Sequence, residues 1–152
     1  MHNVLLSIRF ILNALILTAL ISPCTSIAND NERIVVISHQ DTNFQVLTQQ
    51  QVKRIFLGNN KGAASKDNLK PINLPYEHPV RILFSNKAIG LTEARIKAFW
   101  AQMKFAGKGN PPIEFDNIEA VIEKVAQSPG YIGYVPLKDV AENAQIKILY
   151  ML

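Results

Sequence analysis

The stretch Ile34-Val35-Val36-Ile37 is an unbroken run of β-branched residues. It has no polar alternation, so it reads as a strand covered on both faces, the kind found in a sheet layered with helices. A polar stretch, Ser38–Asn43, follows it. Towards the other end of the chain Ser128-Pro129-Gly130 reads as a turn. Tyr131-Ile132-Gly133-Tyr134-Val135 then reads as a strand, and Ile146 to Leu149 as another.

Helical patterns lie between these strands. Thr48-x-x-Gln51 is a capping-box pattern, after which Val52, Ile55 and Phe56 share one face with Lys53 and Arg54 off it, and Gly58 ends the helix. Asn59 to Asn68 reads as an exposed loop. Leu69 to Leu74 contains Pro71 and reads as a short edge strand. Pro79 suits the first position of a helix whose face is Val80, Leu83, Phe84, Lys87 and Ala88, with Gly90 as its stop. Thr92 can cap the next helix, where Ile96, Phe99, Trp100 and Met103 recur at core spacing. Asp116-x-x-Glu119 predicts a second capping box ahead of the stripe Ile118, Val121, Ile122, Val125 and Ala126. Strands alternating with helices define an α/β class: a single layered domain with a mixed or mostly parallel sheet and helices on both faces.

Residues 1–28 read as an address rather than as fold. Arg9 precedes the mainly apolar stretch Phe10 to Ile21, and Ser26-Ile27-Ala28 offers small residues where a signal peptidase reads. The apolar core is shorter than the roughly 20 residues of a spanning helix and is broken by Asn13 and Thr18. The expectation is a cleaved signal peptide over 1–28, a mature domain over 29–152 and a periplasmic location. Cys24 raises the alternative of a lipidated first residue, for which Pro23 is a poor neighbour. Removing Arg9 and no acid takes the net charge from +4 to +3.

Composition narrows the function classes. The 152 residues suffice for one domain, and 48% apolar against 18% charged residues is a folding composition. The net charge of +4 is scattered, with no block of five like charges, so no nucleic-acid partner is expected. A single cysteine excludes a disulfide framework and a multi-cysteine metal site. His39 and His78 are expected in loops, and no Gly-x-Ser-x-Gly or phosphate-loop pattern occurs, so neither an enzyme nor a cofactor or metal is expected. A hydrolase using His39 or His78 is the weakest of the readings. Phe99 and Trp100 are assigned to packing by their spacing. Anion capture fits better: helix starts near Thr48, His78 and Thr92 offer unpaired N–H groups, and Arg81 follows His78-Pro79.

The order of motifs adds a resemblance. It runs through Leu47-Thr48-x-x-Gln51-x-x-x-Ile55-Phe56-Leu57-Gly58, Lys70-Pro71-Ile72-Asn73-Leu74-Pro75, Arg81-x-x-Phe84 and Phe99-Trp100. It ends with Phe105-x-Gly107-x-Gly109-x-Pro111-Pro112 and Ser128-Pro129-Gly130-Tyr131-Ile132-Gly133-Tyr134-Val135. This resembles short single-domain relatives of the phosphate-binding proteins of ABC import systems, in the type II periplasmic binding protein class. The resemblance implies one lobe of a two-lobed fold, and a periplasmic solute-binding-like protein for phosphate or a related oxyanion, linked to ABC-type transport. It places candidate ligand contacts at Ser38 and Thr42 after the first strand and at Arg81 before a helix, with Thr48 added from the helix-start reading. The glycines of the family's anion loops are missing from both places. The alternative is therefore a ligand-free interaction module of the same fold, docking on an envelope or sensor protein. The candidate protein partners across the two readings are a membrane permease and a sensor. The oligomeric state is left open.

Overall fold

In the computed structural model residues 33–59, 69–141 and 145–152 are described. The expected signal peptide with Cys24, and the expected loop from residue 60 to 68, lie outside them. The strands are β1 (Ile34–His39), β2 (Lys70–Asn73), β3 (Ile113–Glu114), β4 (Tyr131–Pro136) and β5 (Ile146–Met151). The helices are α1 (Gln49–Phe56), α2 (Pro79–Phe84), α3 (Glu93–Phe105) and α4 (Ile118–Gln127).

The strands form a single sheet in the order β3-β2-β4-β1-β5. β1 runs antiparallel to both β4 and β5, whereas β2 runs parallel to β4 and β3, so the sheet is mixed. All six residues of β1 are buried, as its apolar run requires. The strand extends two residues beyond the apolar run, through Ser38 and His39, where the sequence predicts a polar connection. His39 is thus a buried strand residue, and its Nδ1 accepts the Asp41 N–H at 3.2 Å. His78 is the N-cap of α2, its Nδ1 accepting from the Val80 N–H.

The expected edge strand β2 instead lies between β3 and β4. β3 is only two residues long and pairs with Ile72 and Asn73 alone. Pro71 precedes that pairing, so on this side its missing N–H removes no ladder bond.

Alternation along β4 assigns the helices to faces. At Gly133 an added Cβ would come within 2.6 Å of Val121 Cγ1, so α4 lies directly on the strand there. The next side chain, Tyr134, points to the opposite face, stacked on Phe84 at 3.9 Å between ring centroids and 5.6 Å from Phe56. α4 therefore covers one face, and α1 and α2 the other.

Local chemistry fixes the helix ends. Thr48 and Gln51 form the expected reciprocal cap of α1, the Thr48 N–H donating to Gln51 Oε1 at 2.8 Å. Thr92 caps α3 through the Arg95 N–H. The cap of α4 is Asn117, one residue after the expected Asp116, with Oδ1 accepting from the Ala120 N–H at 2.8 Å. Asn and Asp are equivalent caps, and the Asx oxygen reaches three residues on from either position. The expected helix from Pro79 to Gly90 changes pitch after Phe84 into a π-helical turn, Ser85–Ile89, closed by Gly90 at φ +72°. Gln49 Nε2 donates to the carbonyls of Lys87 and Ala88 at its end, which ties α1 to this turn.

Candidate functional site

Of the four candidate contacts, Ser38 and Thr42 stand at one end of β1, Thr48 caps α1, and Arg81 lies in α2. Among the described residues no hydrogen bond or ion pair joins any of the four to another. Ser38 is fully buried, and its hydroxyl donates to the carbonyl of His39. The Thr48 hydroxyl is exposed and engaged with Gln51.

Arg81 is buried to 2% exposure and surrounded by acceptors. Its Nε donates to Glu93 Oε2 at 2.8 Å, and its Nη1 to Glu114 Oε1 at 2.6 Å and to the carbonyl of Leu74 at 2.5 Å. The guanidinium lies over the ring of Tyr76, 3.8 Å from its centroid. Burial works against the cation, but the Glu114 hydrogen bond and the charges of Glu93 and Glu114 outweigh it and push the Arg81 pKa up. Ser85, on the π turn, donates a short hydrogen bond to Glu93 Oε1. One cation facing two carboxylates leaves the cluster negative. The space beside Arg81, Ser85 and Asn73 is about 10 Å³, room for at most one water. The sequence shows none of this directly, because Glu93 and Glu114 lie 12 and 33 residues from Arg81.

Thr42 borders an open depression of about 250 Å³, together with Asp41, Asn43, Leu69, Pro129 and Gly130. Lys147 reaches this rim, its Nζ donating to the Thr42 carbonyl at 2.8 Å. The Asp41 carboxylate, 3.6 Å from His39 Nδ1, adds negative charge at the same rim.

A larger recess of about 540 Å³ lies between α1 and α3, lined by Gln50, Lys53, Arg54, Leu57, Asn59 and Phe99. Gln50, Lys53, Arg54 and Leu57 recur at i, i+3, i+4 and i+7, so they form one stripe of α1 that ends on its C-cap, Leu57. That stripe was visible in the sequence as a second periodic face, beside the buried one of Val52, Ile55 and Phe56. No acid lines the recess, and neither Lys53 nor Arg54 has an ion-pair partner among the described residues. Phe99 is half-buried; it packs on Trp100 edge-on at 5.2 Å while forming one wall. Gly58, between the lining residues Leu57 and Asn59 in the chain, has φ +71°, and an added Cβ there would lie 2.8 Å from Trp100 Cη2.

Among the described residues no group of three His, Cys, Asp or Glu side chains is placed to hold a metal ion, and no helix is long and apolar enough to cross a membrane.

No protein-family model matches the sequence, and no curated protein is similar to it. Solved structures do match in fold. An ABC-type phosphate transport receptor from Vibrio cholerae superposes with a TM-score of 0.58 at 11% identity. A putative phosphate ABC transporter substrate-binding protein with bound phosphate, from Clostridium perfringens, gives 0.59 at 16%. PstS from Borrelia burgdorferi gives 0.55 at 16%. Each match covers 76% of this chain and only 44%, 43% and 46%, respectively, of the other. This chain thus has the α/β fold of a part, less than half, of these substrate-binding proteins, as the resemblance in sequence implied.

Proposed function

We propose that this protein is a non-enzymatic, periplasmic binding module of the phosphate-receptor fold. It serves an ABC-type uptake system by docking on an envelope protein, a permease or a sensor, rather than by enclosing an anion alone. The observation that carries this reading is the state of Arg81. Its guanidinium already has two carboxylates and a carbonyl, and the space beside it is too small for an oxyanion. A single lobe also leaves any surface anion in water, where pairing contributes only about 0–1 kcal/mol.

A second reading is capture of phosphate or a related oxyanion. It is favoured by the fold likeness to proteins described as phosphate receptors and by Thr42 at the open depression beside β1. Thermal unfolding of the chain from residue 29, titrated with phosphate, sulfate, nitrate and molybdate at constant ionic strength, separates the two. Docking alone predicts a flat response to all four. A saturable rise selective for one anion, abolished by Thr42→Val, would replace it with the capture reading; a ligand at 100 times its Kd adds about 2.7 kcal/mol.

A further inference from the structure

We infer that the recess between α1 and α3 is a docking site for an acidic, aromatic-bearing segment of a partner protein. This inference rests on the docking reading above and names the surface and the chemistry it selects.

Charge complementarity points to the occupant. Lys53 and Arg54 are consecutive residues of α1 that both line the recess without carboxylate partners among the described residues, and α1 contains no acid. The cations of the neighbouring α3, Arg95, Lys97 and Lys104, do not line the recess, and Lys97 lies 5.9 Å from the Tyr76 ring centroid; the single acid of α3, Glu93, is committed to Arg81 and Ser85. An approaching carboxylate therefore meets an uncompensated positive field, which steers association and fixes register.

Shape and polarity select a peptide over a free ion. Leu57 and Phe99 give the recess apolar walls, and a volume near 540 Å³ admits a large side chain. An aromatic ring seated against Phe99 would supply the central contact that anchors most interfaces, with the cations gripping acids on either side. Gln50 and Asn59 supply amides that can both donate to and accept from an extended backbone. The chain's own segment from residue 60 to 68 carries two lysines and one aspartate, so it does not match this field.

The test is fluorescence anisotropy of the full mature chain with a dye-labelled eight-residue peptide alternating glutamate and phenylalanine. The control peptide carries lysine in place of each glutamate. The expected result is saturable binding of the acidic peptide only. Reversing the charges with Lys53→Glu and Arg54→Glu should weaken it at least tenfold, as should Phe99→Ala, while Lys138→Glu on the exposed turn after β4 should leave it unchanged. Thermal unfolding of each variant shows that it is folded. Equal binding of both peptides, no binding, or indifference to the Lys53 and Arg54 reversals would overturn the assignment. Such a result would leave the docking reading to its own anion series. Two further arms identify a different occupant, and either would overturn the proposal. One is binding to phosphatidylglycerol vesicles that depends on Lys53 and Arg54 but not on Phe99. The other is concentration-dependent self-association in sedimentation that the same reversals abolish.

Discussion

Two cationic regions of this molecule share a sheet face and differ in almost every other respect. Arg81 is buried, held by Glu93, Glu114 and the Leu74 carbonyl, and covered by Tyr76. Lys53 and Arg54 border an open recess and have no ion-pair partner among the described residues. A charge paired with two carboxylates inside the fold works mainly for stability, even though its Nη2 makes no hydrogen bond among the described residues. A charge left uncompensated at a concave surface contributes little to folding and remains available for binding. The cation that a sequence motif singles out is here the first kind.

The largest expected effect breaks this contrast if it fails. Arg81→Ala removes the partner of two carboxylates that remain in place. Glu93 is 19% exposed and Glu114 40%, so water softens the penalty. The expected loss is about 3 kcal/mol, the low end for breaking a buried pair. Urea unfolding measures it. Lys53→Ala and Arg54→Ala should each stay within about 0.5 kcal/mol of the parent chain. Similar losses at all three positions would mean that the distinction between structural and available cations is wrong.

Next in size is Gly58→Ala, which sharpens the account of the recess. The substitution adds a Cβ at φ +71° and sets it 2.8 Å from the Trp100 ring. A left-handed backbone costs a non-glycine residue about 1–2 kcal/mol, and overpacking adds a comparable amount. A loss of about 2 kcal/mol with a shifted Trp100 fluorescence maximum is expected. An unchanged spectrum would show that Trp100 does not rest on this turn.

How far the sequence could be read follows the range of the interaction concerned. β1, the α1 capping box, the Pro79 start of α2 and the stripe of α4 all depend on neighbours within four residues, and all are present. The position of β2 was misread because Pro71 marks an edge locally, while the two-residue β3 that covers the rest of the strand comes some forty residues later. The π turn stands where a continuous helix was expected, and it carries contacts across the fold, from Gln49 and through Ser85, that no periodicity records. The same limit governs the site. Arg81 was conspicuous as an arginine at a helix start, but its availability depended on Glu93 and Glu114. The stripe of Gln50, Lys53, Arg54 and Leu57 was legible at helical spacing, yet only the position of Phe99 on α3 makes it one wall of a recess.

The smallest expected effect tests whether the Arg81 region is as dry as its geometry implies. Tyr134 lies in the same layer, its oxygen accepting the Leu74 N–H at 3.4 Å. Burial pushes its phenol pKa well above the ordinary value, and the charges of Glu93 and Glu114 push the same way. The Leu74 hydrogen bond and the Arg81 charge oppose that shift only in part. A pKa raised on folding contributes stability that is fully present below the unfolded value, near 10, and is lost as pH climbs towards the folded one. The parent chain should therefore lose about 1 kcal/mol more than Tyr134→Phe between about pH 9 and pH 11, measured by urea unfolding at each pH. At neutral pH the same variant should cost about 1 kcal/mol, since the Leu74 N–H loses its acceptor. Parallel pH curves for the two chains would mean that water reaches Tyr134. In that case the layer holding Arg81 is open enough to admit a solute, and the contrast with the α1–α3 recess loses its physical basis.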